Sequence, residues 1–282
     1  MTVDPGAVPE AGRPVALSER VRRLTAPNPG IMTGPGTNSY LVGTTELAAV
    51  DPGPDDHVHI DALADLGAGR IRWIIVTHTH LDHSPGAARL AALTGAEVIG
   101  FGPRDGFKPD RSVSDGFTLS GEGFSLRALH TPGHASNHLC WLLADELMLF
   151  SGDHIMGGST VVIPPPDGDM ARYLDSLTRL RVLDPALRSI APGHGPLLPD
   201  AGATIDAVVA HRLARQEAVA GALGAVEMAT VDELLPTVYG DVGDELLPVA
   251  RQSLWAHLRK LADDGRGRSA DPDDIGSVWS AL

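Results

Sequence analysis

Cysteine is nearly absent from this chain, since Cys140 is the single cysteine among 282 residues. One cysteine cannot close an internal disulfide, so a fold held together by disulfides is excluded and a reducing compartment is expected. Cys140 lies within the apolar run Leu139–Leu143. This position predicts a buried structural thiol and disfavours a role as a nucleophile.

Long apolar runs are also lacking, although hydrophobic residues make up 43% of the chain. No stretch reaches the roughly 18 consecutive apolar residues that a membrane-spanning helix needs. The first ten residues have neither the basic start nor the apolar core of a secretory signal. We therefore expect a cytoplasmic protein with no membrane partner.

Positive charge is scarce, because 22 Lys and Arg residues face 36 Asp and Glu residues, a net charge of −14. Such a chain repels polyanions unless it carries a local basic patch. Nucleic acid is therefore not the default partner. The abundance of Ala, Gly, Pro, Asp and Arg beside very few Lys is typical of a GC-rich bacterial genome.

The chain is long enough for one domain of about 200 residues and a second, smaller one. Residues 1–18 are rich in Pro, Gly and Ala and predict a flexible tail. From 19 to 203, short apolar runs such as Trp73–Val76 alternate with amphipathic stretches such as Met170–Leu183. This alternation predicts an α/β catalytic domain.

Residues 204–282 have a different character. Their pattern predicts three helices and then a small hairpin with arms at 265–269 and 275–279. The predicted helices cover 204–223, 230–239 and 246–263. Helix, helix, helix, hairpin is the order of a winged helix.

The segment Thr77–His83 reads Thr-His-Thr-His-Leu-Asp-His and directly follows a predicted buried strand. Imidazole and carboxylate are both zinc ligands. His78 and His80 project to the same side of an extended strand end, because side chains alternate with period two. Asp82 and His83 lie on the following turn, where they can reach a second metal. A chance surface cluster of this composition is improbable.

Three later residues of ligand type follow other predicted strands on turns that contain glycine, the common place for functional groups on a sheet scaffold. His134 lies in Thr-Pro-Gly-His, Asp153 in Ser-Gly-Asp-His and His194 in Pro-Gly-His-Gly. Asp51 has a similar setting after Val50. It stands apart from the ligand set, and we expect it to support a ligand.

Together these residues resemble the metallo-β-lactamase superfold, and specifically its glyoxalase II and RNase Z-like ligand set. The resemblance implies a four-layer αβ/βα sandwich with two Zn²⁺ ions at one edge of two packed sheets. True β-lactamases of this fold use other residue types in place of the bridging aspartate, so Asp153 argues against β-lactam hydrolysis. The implied assignment places His78, His80 and His134 on one zinc, Asp82, His83 and His194 on the other, and Asp153 on both.

Further segments are similar to the lactamase-beta-two-like subfamily. They are Asn28-Pro29-Gly30, the run from Gly36 to Gly43, the run His211–Glu217 and the predicted winged helix. This subfamily includes animal endoribonucleases that act on single-stranded RNA and fungal thioesterases that release polyketides from acyl carrier protein. The resemblance specifies fold and metals more closely than substrate.

The ligand set predicts a hydrolase in which two zinc ions share a hydroxide that attacks a carbonyl carbon or a phosphorus. Asp82 is expected to act as both a metal ligand and the proton acceptor. His138 and His154 are candidates for the acid that protonates the leaving group, or for supporting residues. We expect His57 and His59 to be solvated on an exposed helix, and His211 and His257 to be structural.

Two substrate classes remain open. The acidic balance favours a small-molecule or carrier-bound ester or thioester, because residues 200–268 hold seven Lys and Arg against eleven Asp and Glu, a net of −4. A single-strand endoribonuclease is the alternative, and it requires a basic groove. Glutathione conjugates usually need Lys or Arg to bind their carboxylates, and the sequence has no obvious basic cluster downstream of His194. This argues against a strict glyoxalase II function. A winged helix of this charge is expected to close the site or to mediate a homodimer. A purely binding role is disfavoured because the ligand set is complete.

Overall fold

The computed structural model describes residues 6–282, so the first five residues of the predicted tail lie outside the described part. Contacts divide the chain into two compact units. The first unit holds the segments up to 131, 137–160 and 181–204. The second unit holds 132–136, 161–180 and 205–282. No helix within residues 6–282 combines the length and the apolar character needed to cross a bilayer.

The first unit contains a seven-stranded sheet in which neighbouring strands follow chain order. The first four strands pair antiparallel, and the pairs from the fourth to the seventh are parallel. The parallel pairs align the carboxyl ends of the fourth and fifth strands at one edge. The strands are β1 (Val15–Ala16), β2 (Val21–Thr25), β3 (Asn38–Val42), β4 (Leu47–Val50), β5 (Ile71–Ile75), β6 (Glu97–Gly100) and β7 (Arg111–Ser112).

Two helices, α1 (His57–Gly67) and α2 (Gly86–Thr94), pack on one face of this sheet. Asp56 caps α1 by accepting a hydrogen bond from the backbone N–H of His59 at 2.8 Å, which satisfies a donor that the first turn leaves unpaired. Ile60 and Leu63 of α1 are fully buried against the sheet. Burial of this apolar face is the main stabilising contribution of the helix.

A second sheet of five strands has the order β12-β11-β10-β9-β8 and packs against the other face of the first sheet. Trp141 and Leu126 from this sheet share one core with Val42 and Ile75 of the first. Its last two strands pair in parallel, so their carboxyl ends also meet at one edge. The strands are β8 (Thr118–Gly121), β9 (Phe124–His130), β10 (Leu139–Leu143), β11 (Met148–Gly152) and β12 (Ser189–Pro192).

The second unit is mainly helical and has its own core around Leu254, Leu258 and Trp279. Thr230 and Glu233 form a reciprocal capping box at the start of its third helix. A two-stranded antiparallel sheet ends the chain. Its elements are α3 (Met170–Arg181), most of α4 (Ala201–Gly224), α5 (Val231–Tyr239), a short 3-10 helix (Asp244–Leu246), α6 (Leu247–Asp263), β13 (Gly267–Ser269) and β14 (Trp279–Ala281).

The structure differs from the sequence-based expectation at three places. Strand β1 lies inside the segment predicted to be a flexible tail, where Val15 pairs with Arg23 of β2. Strands β2, β7 and β8 were not predicted, because none of them contains a continuous apolar run. The second arm of the C-terminal hairpin begins at Trp279 and not at Ile275, since residues 271–278 form turns.

A candidate dinuclear metal centre

The predicted ligands follow strand ends that the parallel pairings bring to one edge of each sheet. Thr77–His83 come directly after β5 and the single residue Val76. Asp153 is the first residue after β11, and His194 lies two residues after β12. The backbone N–H of Gly193 donates to the carbonyl of Gly152 at 2.8 Å. The turns that carry Asp153 and His194 therefore lie side by side at one edge of the second sheet.

Imidazole and carboxylate atoms form two donor groups, and within each group the candidate ligand atoms lie within 4.8 Å of one another. Asp153 belongs to both groups. All seven residues predicted as ligands are included. The first donor group is His78, His80, His134 and Asp153, and the second donor group is Asp82, His83, Asp153 and His194.

The second donor group lies wholly within the first unit and is tightly packed. The Nε2 atom of His194 lies 3.2 Å from Oδ2 of Asp82 and 3.2 Å from Oδ1 of Asp153. The Nε2 atom of His83 lies 3.3 Å from Oδ1 of Asp153 and 3.3 Å from Nε2 of His194. Two imidazole nitrogens and two carboxylates therefore converge on one small region.

Hydrogen bonds at Nδ1 of His83 and His194 determine which ring nitrogen of each imidazole points its lone pair into the second donor group. The Nδ1 atom of His83 lies 2.8 Å from the carboxylate of Asp51, and Nδ1 of His194 lies 3.2 Å from the carbonyl of Gly36. Both partners only accept, so each Nδ1 carries the proton and the neutral ring offers a lone pair at Nε2. In the neutral form of each ring, the lone pair at Nε2 faces the carboxylates of Asp82 and Asp153, and this set of nitrogen and oxygen donors fits a cation.

The pKa shifts in the second donor group also indicate a region that favours positive charge. Burial alone would lower the pKa of His83 and His194, but the neighbouring carboxylates raise both, to about 9 for His194. Burial would raise the pKa of Asp82 and Asp153, but the two imidazoles lower it, to about 2 for Asp82 and well below the usual range for Asp153. The region thus attracts positive charge.

Asp51 organises this edge without belonging to either donor group. Its carboxylate accepts from the backbone N–H and the hydroxyl of Thr77, both at 2.7 Å, and from His83. The Thr77 hydroxyl in turn lies 3.0 Å from Nδ1 of His78. Because that hydroxyl donates to Asp51, it accepts from His78 and leaves Nε2 of His78 to face His80 at 3.0 Å. One carboxylate therefore orients a ring of each donor group.

His138 and His154, the candidates for the leaving-group acid, are both fully buried. The His138 ring stacks on His78 with centroids 5.0 Å apart, and its Nδ1 lies 3.0 Å from the hydroxyl of Thr131. The His154 ring lies 5.8 Å from that of His138. These positions place His138 behind a predicted ligand and His154 beside His138, away from solvent. Neither side chain reaches the surface, and their role as acid or as supporting residue stays a prediction.

The prediction that His59 is solvated is wrong. The side chain is only 2% exposed, and Nε2 lies 2.8 Å from the hydroxyl of Ser39 on β3. The Ser39 hydroxyl donates to the backbone carbonyl of Asp51 at 2.5 Å, so His59 donates to Ser39. His57, on the other side of α1, is exposed as predicted, while His257 is buried and bonded to Gln216 at 2.7 Å. His211 was expected to be structural, but it is exposed.

The sequence reasoning missed the residues that hold the strand ends together. Asn38 of β3 donates to the carbonyls of Pro192 and Gly195 at 3.0 and 2.8 Å. Tyr40 donates to the same Pro192 carbonyl at 2.6 Å. Gly193 leaves room for the ligands, because a Cβ there would lie 2.7 Å from Oδ1 of Asp153. Polar residues inside the buried strand β3 were the available signal.

Comparison with known protein families gives two matches along the chain. Residues 32–194 match the metallo-beta-lactamase superfamily. Residues 230–274 match the beta-lactamase associated winged helix domain.

Several curated proteins are similar over most of this chain. The lactamase-like protein adaB of Aspergillus niger is 33% identical, with 88% of this chain and 82% of that protein covered. The beta-lactamase-like protein 2 homolog of Caenorhabditis elegans is 32% identical, with 88% and 86% covered. The atrochrysone carboxyl ACP thioesterase AacuM of Aspergillus aculeatus is 28% identical, with 89% and 83% covered.

A solved structure shares the fold. The metallo-beta-lactamase family protein from Thermus thermophilus superposes with a TM-score of 0.77 at 24% identity, covering 95% of this chain and all of that one. At this identity the likeness concerns the fold alone.

Proposed function

The chain belongs to the metallo-beta-lactamase superfamily, and on this premise we propose that it is a dinuclear zinc hydrolase acting on an acyl ester or thioester. The observation that carries the proposal is the pair of donor groups sharing Asp153. Three imidazoles and a carboxylate in one group and two imidazoles and two carboxylates in the other suit zinc, which prefers nitrogen ligands with some oxygen.

The seven residues would hold two metal ions, one in each donor group, with Asp153 contributing to both. Bound zinc supplies Lewis acidity and lowers the pKa of water toward neutrality. The chain itself fixes the ring nitrogens that face the metals. It does so through Asp51 for His83 and for His78, and through the carbonyl of Gly36 for His194. Such outer hydrogen bonds keep ligands in one orientation and tautomer.

Asp82 is the residue of the second donor group that best suits a proton acceptor. Its side chain is 27% exposed, whereas those of Asp153 and His194 are 11% and 2% exposed. It also lies next to the exposed Leu81 on the ligand loop. An accessible carboxylate that is ionised at neutral pH has lone pairs with which to accept or steer a proton at the site.

Two considerations favour an acyl substrate over RNA. A relative covering most of this chain carries the name of an acyl carrier protein thioesterase, and the second unit has little charge to offer a phosphate backbone. Surface ion pairs in its described part include Arg172–Asp169, Arg251–Asp232, Arg259–Asp273, Lys260–Asp264 and Arg266–Glu217.

Three further cations of the second unit are also bonded within the protein. Arg212 and Arg215 donate to backbone carbonyls of Val161 and Val238. Arg268 donates to the hydroxyl of Ser280 at 3.2 Å. Counterion release by Lys and Arg dominates affinity for nucleic acid, so cations already bonded within the protein contribute little to it.

The decisive experiment compares substrates on one preparation of known metal content. Metal-loaded protein is incubated with a panel of acyl thioesters, both on coenzyme A and on a carrier protein, and separately with single-stranded RNA at physiological salt. Turnover of a thioester that disappears in Asp82→Ala supports the proposal. Efficient RNA cleavage that disappears in the same variant, with no turnover of any thioester, overturns it.

A further inference from the structure

Arg212 has an unusual position for an arginine, because it is only 2% exposed. It lies on α4 within the run His211–Glu217, to which the proposed chemistry assigns no role. Its guanidinium donates through an NH2 group to the backbone carbonyl of Val161 and lies 5.5 Å from the ring centroid of Tyr173 on α3. A buried arginine is costly unless its donors are used, so these contacts require an explanation.

The segment that receives this hydrogen bond also orients a predicted metal ligand. Val161–Ile163 belong to no helix or strand, so no backbone ladder holds them. The carbonyl of Val162, the next residue, accepts from Nδ1 of His134 at 2.6 Å. Since a carbonyl only accepts, this bond places the proton on Nδ1 and leaves the lone pair of His134 on Nε2.

The loop 132–136 is held from its other side by α3. The hydroxyl of Ser176 donates to the carbonyl of Pro132 at 2.8 Å, and the backbone N–H of Asp169 donates to the carbonyl of Gly133 at 2.7 Å. A Cβ on Gly133 would lie 2.4 Å from Cα of Tyr173, so the loop backbone packs directly on the residue whose ring Arg212 covers.

We propose that Arg212 is a positioning residue, which fixes the Val161–Val162 backbone and thereby the ring of His134 in the orientation that ligates a metal. The inference rests on the proposed two-metal function, and it gives helix α4 of the second unit a role in orienting a metal ligand. The Arg212 guanidinium on α4 holds the carbonyl of Val161 in place. The adjacent Val162 carbonyl, one peptide unit away, is thereby fixed where it accepts the hydrogen bond from Nδ1 of His134.

The test uses Arg212→Met, which keeps the length and apolar packing of the side chain but donates no hydrogen bond. Arg215→Met is the matched control. Arg215 lies one turn along the same helix, donates to the carbonyl of Val238 and lies 4.2 Å from the Tyr239 ring centroid, but bonds nothing that contacts His134. Arg212→Lys restores a donor and should recover part of the effect.

The readout is zinc affinity, measured by competition with a chromophoric chelator, together with the far-UV circular dichroism of each variant. We expect Arg212→Met to stay folded and to bind one of its two zinc ions about tenfold more weakly, at the lower end of the roughly 10–100-fold typical of a lost outer partner, because the Val162 carbonyl remains but is held less firmly. Arg215→Met should bind both ions as the wild type does.

Two results would overturn the inference. One is wild-type affinity for both ions in Arg212→Met. The other is an equal loss of affinity in Arg212→Met and Arg215→Met, which would indicate a general weakening of the helical unit. A wild-type protein that binds no zinc would instead contradict the proposed function, so the two failures are distinguishable.

Discussion

Asp51 and Asp153 are buried carboxylates that follow β4 of the first sheet and β11 of the second, and they have different partners. Asp153 belongs to both donor groups, whereas Asp51 bonds only to protein donors, namely Thr77 and His83. Asp51 also has a left-handed backbone, with φ at 46°, which costs a non-glycine residue about 1–3 kcal/mol. Its hydrogen bonds, including that of Ser39 to its carbonyl, offset this strain.

Replacement of the shared ligand should affect both metals. We expect Asp153→Ala to weaken the binding of both zinc ions by more than the roughly 10–100-fold typical of an outer partner, and to remove activity. Elemental analysis of protein purified without chelator, together with turnover, measures this. His57→Ala is the control and should match the wild type, because His57 is exposed on α1. Full turnover in Asp153→Ala would refute the shared role.

His59 should make the stability of the first unit dependent on pH. Burial lowers its pKa to about 4, although Asp56 opposes the shift. The unfolded chain, with a pKa of about 6.5, then binds more protons than the folded chain between pH 4 and 6.5. Stability is therefore complete above about pH 6.5 and decreases as the pH falls toward 4, by about 3 kcal/mol at most.

The measurement is denaturant unfolding of metal-free protein at several pH values, for the wild type and His59→Gln. Glutamine keeps a donor for Ser39 but does not titrate, so its stability should depend less on pH over this range. Parallel pH profiles for the two proteins would show that His59 contributes no such dependence.

The ligand loop after β5 could be predicted from its sequence because the whole pattern is local. His134, Asp153 and His194 could be proposed from their glycine-containing turns and from the family resemblance, since no local pattern links them, and the structure groups them with the loop residues. His59 could not be placed correctly, because its burial depends on Ser39 in β3, twenty positions away. Val161–Ile163 could not be predicted either, since their contacts come from side chains on other elements.

Helix α4 carries a glycine that its structure does not require. Gly221 is exposed, and a Cβ there would meet nothing within 4 Å. We expect Gly221→Ala to raise the free energy of unfolding by about 0.5–1 kcal/mol, because alanine loses less backbone entropy in a helix. Thermal unfolding followed by circular dichroism measures this, and an unchanged or lower midpoint would contradict it.

Gly193 shows the opposite case in the turn after β12. Its Cβ would lie 2.7 Å from Oδ1 of Asp153 and 2.7 Å from Cε1 of His83. We expect Gly193→Ala to weaken zinc binding by at least about tenfold, since the ligands must move to admit the methyl group. Chelator competition on the two glycine variants side by side provides the comparison. Equal affinity in Gly193→Ala and Gly221→Ala would show that the turn has spare room.

Across the whole molecule, charge is distributed unevenly. The net charge is −14, and within residues 6–282 the groups of His and Asp that could hold a metal are the two donor groups. An acyl thioester makes no demand for a basic surface, because the oxyanion formed during hydrolysis is stabilised at the site itself. A phosphate backbone does make that demand.

This distribution predicts how activity responds to salt. Raising NaCl from about 50 to 200 mM should change thioester turnover less than about twofold, whereas a protein that contacts 6–10 phosphates loses roughly 10³–10⁵-fold in affinity over this range. Initial rates at constant pH and zinc measure the effect. A decrease of several orders of magnitude would show that polyanion contacts carry the binding.

The hydrogen bonds of Asn38 to Pro192 and Gly195, 154 and 157 residues further along the chain, have a consequence for biosynthesis. His83 and His194 are 111 positions apart, which a ribosome translates in about 6–22 s at typical speeds. During this interval the nascent chain holds Asp82 and His83, and later Asp153, but still lacks His194. On the proposed two-metal function, the second donor group is complete only once β12 has docked beside β11, so metal content would report that translation and folding of this unit have finished.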